Sequence, residues 1–199
     1  MSKIELHNID CLEFMRSMPD KSVDAVITDP PYGIGISSNP FRGRFEKSEW
    51  DSLPASDEMI REIIRVSKYQ IIWGGNYFNL PPTKGFIIWD KCQPRDFSSA
   101  MCEFAWTNLD KPAKIFRKDV KSYQKFHPTQ KPVGLMEFCF NFIPVKVMNI
   151  FDPFMGSGTT AVACVQTGRN FIGCEIDPGY FYVAQKRIHD AQQQPTLLP

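Results

Sequence analysis

The chain has 199 residues, enough for one domain with a sizeable core and too few for a second full domain. With 43% hydrophobic and 23% charged residues it is of ordinary globular composition, and no apolar run nears the ~20 residues of a membrane-spanning helix. A net charge of +1 is too small to indicate a nucleic-acid partner by itself.

Residues 4–9 read as a short strand ending at Asp10, and Leu12, Met15 and Met18 then recur at helical spacing until Pro19-Asp20. Val23–Thr28 is apolar enough to be a strand buried on both faces, and it runs directly into Asp29-Pro30-Pro31-Tyr32. The stretch 33–53 is rich in glycine and serine with little periodicity, a long loop of the kind compact domains keep for function. Ser56 or Asp57 can cap a helix whose apolar face is Met59, Ile60, Ile63, Ile64 and Val66. Three aromatic or β-branched runs follow, Tyr69–Trp73, Gly85–Trp89 and Ala100–Trp106, each bounded by turn residues and so predicted as strands. Pro132 opens a helix through about Phe142; next come a strand over 146–151, a helix over Thr159–Thr167 and a strand over 170–174. Pro178 begins a last helix that frays into the tail 191–199. Alternating helices and apolar strands give a single α/β domain with a mainly parallel sheet covered on both faces.

Charge is unevenly placed. Seven cations between Lys111 and Lys131 face only Asp119, a net +6, and Phe116, Tyr123 and Phe126 are interleaved with them. Such a segment can follow a phosphate backbone or can simply be a solvated loop. Cys11, Cys92, Cys102, Cys139, Cys164 and Cys174 form no CxxC pair, so buried free thiols are expected rather than zinc ligands or disulfides. The start Met1–Glu5 has no apolar core of a signal peptide, and the expected compartment is the cytoplasm.

Two segments carry chemistry. In Asp152-Pro153-Phe154-Met155-Gly156-Ser157-Gly158-Thr159, a strand is followed by a glycine-rich turn and a helix start. Gly156 and Gly158 lack the β-carbons that would hold a ligand off the backbone, and Ser157, Thr159 and Thr160 can satisfy the first helical N–H groups. Glu175, at the end of the next strand, can accept both hydroxyls of a ribose. A P-loop needs lysine after its glycines, and Gly158 is followed by Thr159. A GxGxxG dinucleotide turn would place its third glycine at Ala161. In the other segment, Pro30 and Pro31 stiffen a turn that can present the Asp29 carboxylate and the Pro30 carbonyl as two fixed acceptors. An exocyclic NH2 on a flat ring offers two matching donors, and Tyr32 offers a face for that ring to stack on.

These residues resemble the S-adenosylmethionine-dependent amino-methyltransferases of DNA, in the beta order in which Asp29–Tyr32 precedes the glycine turn. Asn8–Leu12, His127-Pro128-Thr129-Gln130-Lys131-Pro132 and Gly173–Asp177 extend the likeness over most of the chain. The resemblance implies a Rossmann-like methyltransferase fold, a seven-stranded sheet with one antiparallel edge strand and cyclically permuted connections. The catalytic domain would be residues 1–190. It implies Asp29, Pro30, Pro31 and Tyr32 as the catalytic motif. Asp10 and Cys11 would border the adenine of the cofactor, Glu175 with Ile176 its ribose, and His127 and Lys131 its methionine carboxylate. Asp152, Pro153, Phe154, Gly156, Ser157, Gly158 and Thr159 would wall the pocket. Outside the motif, His127 would read as a capped turn residue. Trp73–Tyr77 and Trp89–Lys91 line either the base pocket or the core.

The activity implied is methylation of adenine N6 in double-stranded DNA on a base turned out of the helix, with no metal. Asp29 leans toward adenine, and cytosine N4 presents the same donors. A non-catalytic cofactor-binding module of nucleic acid is the rival of another class. Family members usually carry a sizeable target-recognition region. Here only 108–126 and the loop 33–53 are available for DNA, so recognition is short, relaxed or shared with a partner subunit, a homodimer included.

Overall fold

The computed structural model describes residues 2–35, 53–94, 100–126 and 129–194. Eight strands form one sheet: β1 (Ile4–His7), β2 (Val23–Thr28), β3 (Ser67–Trp73), β4 (Phe86–Asp90), β5 (Cys102–Thr107), β6 (Lys114–Arg117), β7 (Asn149–Asp152) and β8 (Asn170–Cys174). Their spatial order is β1-β8-β7-β2-β3-β5-β4-β6. Among these strands only β5 runs antiparallel to its neighbours β3 and β4. The sheet departs from the sequence reading in two ways. Among the described residues it has eight strands rather than seven, the basic stretch Lys114–Arg117 pairing in parallel with β4 as the added edge, and its antiparallel strand β5 lies inside the sheet between β3 and β4. A four-residue edge rich in Lys and Arg is a common way to blunt a sheet.

Among the described residues five helices cover the two faces: α1 (Cys11–Ser17), α2 (Asp57–Val66), α3 (Val133–Phe142), α4 (Thr159–Gln166) and α5 (Pro178–Gln193). Capping fixes three of their starts. The Asp10 carboxylate accepts from the N–H groups of Leu12 and Glu13, Ser56 from Met59, and Asp177 from Gly179 and Tyr180, with Pro178 opening the last helix. Side chains alternate across the central strands. Ala25, Ile27, Ile71 and Trp73 join α3, α4 and α5 in one core, while Val26, Ile72 and Phe151 join α1 and α2 in the other. Residues 146–151 begin as a turn and only become strand at Asn149. There the Asp24 carboxylate collects the N–H groups of Met148 and Asn149, at 3.2 and 3.0 Å. Four cysteines are buried and none is disulfide-bonded, as expected, but Cys92 and Cys102 are exposed.

The topology positions a site. β2 and β7 are parallel neighbours from which the chain winds outward in opposite directions, to β3 on one side and to β8 and β1 on the other. Crevices for ligands open at such switch points, beyond the carboxyl ends of the strands. Asp29, Gly74, Pro153 and Glu175 all follow such ends. No helix among the described residues is long and apolar enough to cross a membrane.

Candidate active site

A cavity of about 520 Å³ lies at this switch point, within the usual ~300–1,000 Å³ of small-ligand sites. Of the residues singled out in the sequence, Asp10, Cys11, Asp29, Pro31, Lys131, Asp152, Pro153, Phe154, Gly156, Ser157, Thr159, Glu175 and Ile176 line it. Pro30, Tyr32 and Gly158 do not, and His127 lies outside the described residues.

The turn after β7 is held from several sides. Gly156 and Gly158 have φ of 51° and 78°, left-handed values that glycine adopts without strain. A β-carbon on Gly158 would stand 3.0 Å from that of Ala184, so this glycine serves the packing of α4 on α5 rather than the cavity wall. Arg187 of α5 donates to the Ser157 carbonyl and, at 2.9 Å, to its hydroxyl, and stacks on Phe126 at 4.9 Å. Burial pulls its guanidinium down to about 10. Sequence alone offered no sign of this clamp, since Arg187 sits in an ordinary polar stretch of a long helix.

The carboxylates of the cavity differ in what they are free to do. Asp152 is buried and accepts from the Thr28 and Thr160 hydroxyls, both at 2.7 Å, and from the Phe154 N–H at 3.1 Å. Burial pushes it up to about 6. With those donors in place it braces β2, β7 and α4. The Glu175 side chain accepts the Asp177 N–H at 2.8 Å and faces the Gly156 N–H of the glycine turn, and burial pushes it up to about 7. Asn8 fixes its segment by donating to the carbonyls of Glu175 and Ile176, at 2.7 and 3.2 Å. Cys11 sits at the start of α1, and burial pushes its thiol up to about 12, which leaves it unreactive.

Asp29 heads a different cluster. Its Oδ1 accepts from the Tyr32 hydroxyl, and its Oδ2 lies 2.5 Å from the Lys131 Nζ. Lys131 also meets Glu103 Oε2 at 3.0 Å, and the Lys91 ammonium sits 2.7 Å from Glu103 Oε1. Burial pushes Asp29 above the usual carboxylate range, with Lys131 pulling against it and Glu103 adding to it. Lys131, expected near the methionine carboxylate of the cofactor, lines the cavity with its ammonium between Asp29 and Glu103. Glu103 had no motif to mark it in the sequence.

Tyr32 is also built in. Its ring stacks on Tyr77 at 4.8 Å and 13°, on the short 3-10 turn Gly75–Tyr77. A β-carbon on Gly74 would come within 2.1 Å of the same ring, and Gly74 has φ of 68°. Trp73–Tyr77, read from sequence as base pocket or core, divides between the interior and the surface. Trp73 is fully buried and lines the cavity, and Tyr77 is 48% exposed against Tyr32. The Pro31 carbonyl accepts the Ala55 N–H at 3.0 Å, which closes the turn onto the segment before α2.

No group of three or more His, Cys, Asp or Glu among the described residues could hold a metal ion.

Comparison with known proteins agrees with this geometry. The profile of the N6/N4 family described as DNA methylase matches residues 69–186, more than half of the chain. The type II methyltransferase M2.MboI of Moraxella bovis is 28% identical, over 91% of this chain and 86% of that protein. The structure of M1.HpyAVI in complex with SAM superposes with a TM-score of 0.61 at 26% identity, covering 93% of this chain and 98% of that one. The cytosine-N4-specific PvuII DNA methyltransferase shares the fold, with a TM-score of 0.65 at 15% identity, over 96% of this chain and 92% of the other. The chain is a member of the DNA methylase family of N6/N4 amino-methyltransferases.

Proposed function

We propose that this chain binds S-adenosylmethionine in the 520 Å³ cavity and methylates N6 of an adenine turned out of double-stranded DNA. One observation carries the reading: the Asp29 carboxylate, the glycine turn and the accessible Glu175 carboxylate all face a single cavity at the switch point. The residues fit the cofactor. Gly156 lets a ligand approach the backbone, and the Glu175 carboxylate is placed to accept ribose hydroxyls. Ile176 lies next to it, and Asp10 and Cys11 line the same cavity. S-adenosylmethionine supplies an electrophilic methyl group on a sulfonium.

The chain's own residues then orient the acceptor. Asp29 and the Pro30 carbonyl accept the two amino hydrogens, which turns the nitrogen lone pair toward the methyl group, and Tyr32 stacks on the base. Asp29 Oδ1 must exchange its bond from the Tyr32 hydroxyl for one from the base, a swap of one donor for another that leaves the buried carboxylate satisfied. The raised Asp29 carboxyl is also a competent acceptor for the proton the amino nitrogen sheds after transfer. The catalytic domain spans residues 1–190, with 108–126 reaching the duplex; of the other candidate stretch, 33–53, residues 36–52 lie outside the described residues. Lys111 is tied to the protein through the Phe142 carbonyl at 2.7 Å and Arg117 to Asp90 at 3.2 Å, which leaves Lys114, Lys118 and Lys121 as exposed candidates for phosphate.

The test is mass spectrometry of nucleosides from unmethylated DNA incubated with the chain and S-adenosylmethionine. N6-methyladenine is the expected product, and N4-methylcytosine in its place would move the target to cytosine. Asp29→Ala should abolish either product while calorimetry finds S-adenosylmethionine affinity within about twofold of the parent, because orientation acts on the transition state. Normal turnover in the variant would refute the assignment.

A further inference from the structure

The carboxylate assigned to the target amino group is not paired with one cation but stands at the end of a row of four alternating charges. Asp29, Lys131, Glu103 and Lys91 follow one another at 2.5, 3.0 and 2.7 Å. Their side chains are 24%, 4%, 23% and 14% exposed, so all four are largely withdrawn from water. Lys131 also lies 5.3 Å from the Trp73 ring centre and 5.9 Å from that of Tyr32. The row is neutral as a whole, and so is Asp29 with Lys131 alone. Glu103 and Lys91 are therefore not needed to balance the charge of the site.

The antiparallel strand explains how they come to be there. In a parallel strand the first residues lie at the far end of the sheet. β5 runs the other way, and Glu103, its second residue, pairs in register with Trp89 near the end of β4. That reversal sets an acidic side chain beside Lys131 at the catalytic edge. Lys91, just beyond β4, is anchored there by its N–H on the Met101 carbonyl at 3.0 Å.

We propose that Glu103, steadied by Lys91, is a positioning residue that shares Lys131 with Asp29 and so keeps the Asp29 carboxylate available to a target amino group. A lysine whose only anion was Asp29 would donate to it fully and weaken it as an acceptor. Dividing that ammonium between two carboxylates keeps Asp29 ionised and still basic. The proposal rests on the methyltransferase reading of Asp29, and it adds a residue that touches neither base nor cofactor. The groups facing Asp29 are Tyr32 in its own turn, Lys131 before α3, Glu103 on β5 and Asp152 on β7. Only Glu103 connects Lys91 to it.

Two substitutions should move the acidity of Asp29 in opposite directions. Glu103→Gln removes a negative neighbour and gives Lys131 wholly to Asp29, so the Asp29 carboxyl titrates at lower pH. Lys91→Met leaves Glu103 with Lys131 as its one cation, draws that ammonium off Asp29 and raises the titration. The measurement is carbon NMR of the Asp29 carboxyl across pH in the cofactor-free chain, together with the pH profile of kcat/KM for DNA methylation. In Glu103→Gln, kcat should fall on the order of tenfold or more, with S-adenosylmethionine affinity within twofold and the acid limb at lower pH. Glu103→Asp should recover part of kcat, and Lys91→Met should move the acid limb up. Opposed shifts support the proposal. Equal or absent shifts in both variants, with only a lowered melting temperature, would overturn it and leave the row as a structural brace. If Glu103→Gln does not fold, Lys91→Met decides by itself: an upward shift supports the proposal and none overturns it. The NMR titration reads the row without any turnover. Opposed titrations in a chain that never methylates DNA would uphold the row and sink the methyltransferase reading of the site.

Discussion

Lowering the pH from 8 to 6 should weaken S-adenosylmethionine binding about tenfold, and Glu175 should be the cause. A ribose hydroxyl donates best to an ionised carboxylate, so affinity follows the ionised fraction of Glu175. Burial, with Asp177 and Asp152 adding repulsion, pushes this carboxyl up to about 7. A group of that acidity is roughly nine-tenths ionised at pH 8 and one-tenth at pH 6, which corresponds to about 1.4 kcal/mol. Binding should also release close to one proton per cofactor at pH 6, visible as a buffer-dependent heat in titration calorimetry.

Glu175→Gln is the control, because it keeps the shape and one acceptor but cannot titrate. Its affinity should be about 1–3 kcal/mol poorer at pH 8 and should lack this pH dependence. The cofactor's own amino group contributes equally to both proteins and cancels in the difference. The unfolding equilibrium offers a second check with its own sign. The folded carboxyl binds its proton more tightly than the unfolded one does, so ionising it costs stability above pH 7. That cost vanishes as the pH falls below the ordinary carboxylate range. Glu175→Gln should therefore melt higher than the parent at pH 7.5, with the gain fading by pH 4.5. Parallel affinity curves for parent and variant would refute the reasoning and place the ribose elsewhere.

Gly74→Ala should strain a backbone at φ 68° by about 1–2 kcal/mol and push the Tyr32 ring from a β-carbon 2.1 Å away. Steady-state kinetics should show DNA methylation falling while calorimetry finds cofactor affinity unchanged. Thr28→Val removes one of the two hydroxyls on the buried Asp152, and urea denaturation should find stability lower by about 1–3 kcal/mol at pH 7, with part recovered at pH 5 where Asp152 is protonated. Replacing Lys118, Lys121 and Lys125 together by alanine should lower DNA affinity for all sequences alike and reduce the salt slope by about one for each phosphate no longer neutralised. Equal slopes in mutant and parent would return the segment to a solvated surface.

The parts of this fold that were legible in the sequence are those whose causes are local. β2 could be read to the residue because an apolar run meets Asp29-Pro30-Pro31; α1 showed in the helical spacing of Leu12, Met15 and Met18, and α2 and α5 in the cap at Ser56 or Asp57 and in Pro178. The turn from Asp152 to Thr159 carries its own glycines. β6 escaped notice because Lys114-Ile115-Phe116-Arg117 looks like charge rather than strand, and only its pairing with β4 makes it an edge. β7 starts late because Asp24, over a hundred residues earlier, holds the N–H groups that precede it.

Lys131 shows why the site was harder to read than the fold. Its motif places it near the cofactor turn along the chain, yet its ammonium is governed by Asp29, 102 positions away, and by Glu103, 28 positions away. Neither distance has a periodicity to reveal it, since no helix or strand repeats over such a span. What decides the partner is the direction of one strand: with β5 parallel, Glu103 would lie at the opposite end of the sheet and Lys131 would have Asp29 alone. A carboxylate held in a buried site needs a cation to stay ionised and freedom from that cation to accept another donor. The reversed strand supplies both through a second carboxylate, and a local reading of any one segment contains only half of that arrangement.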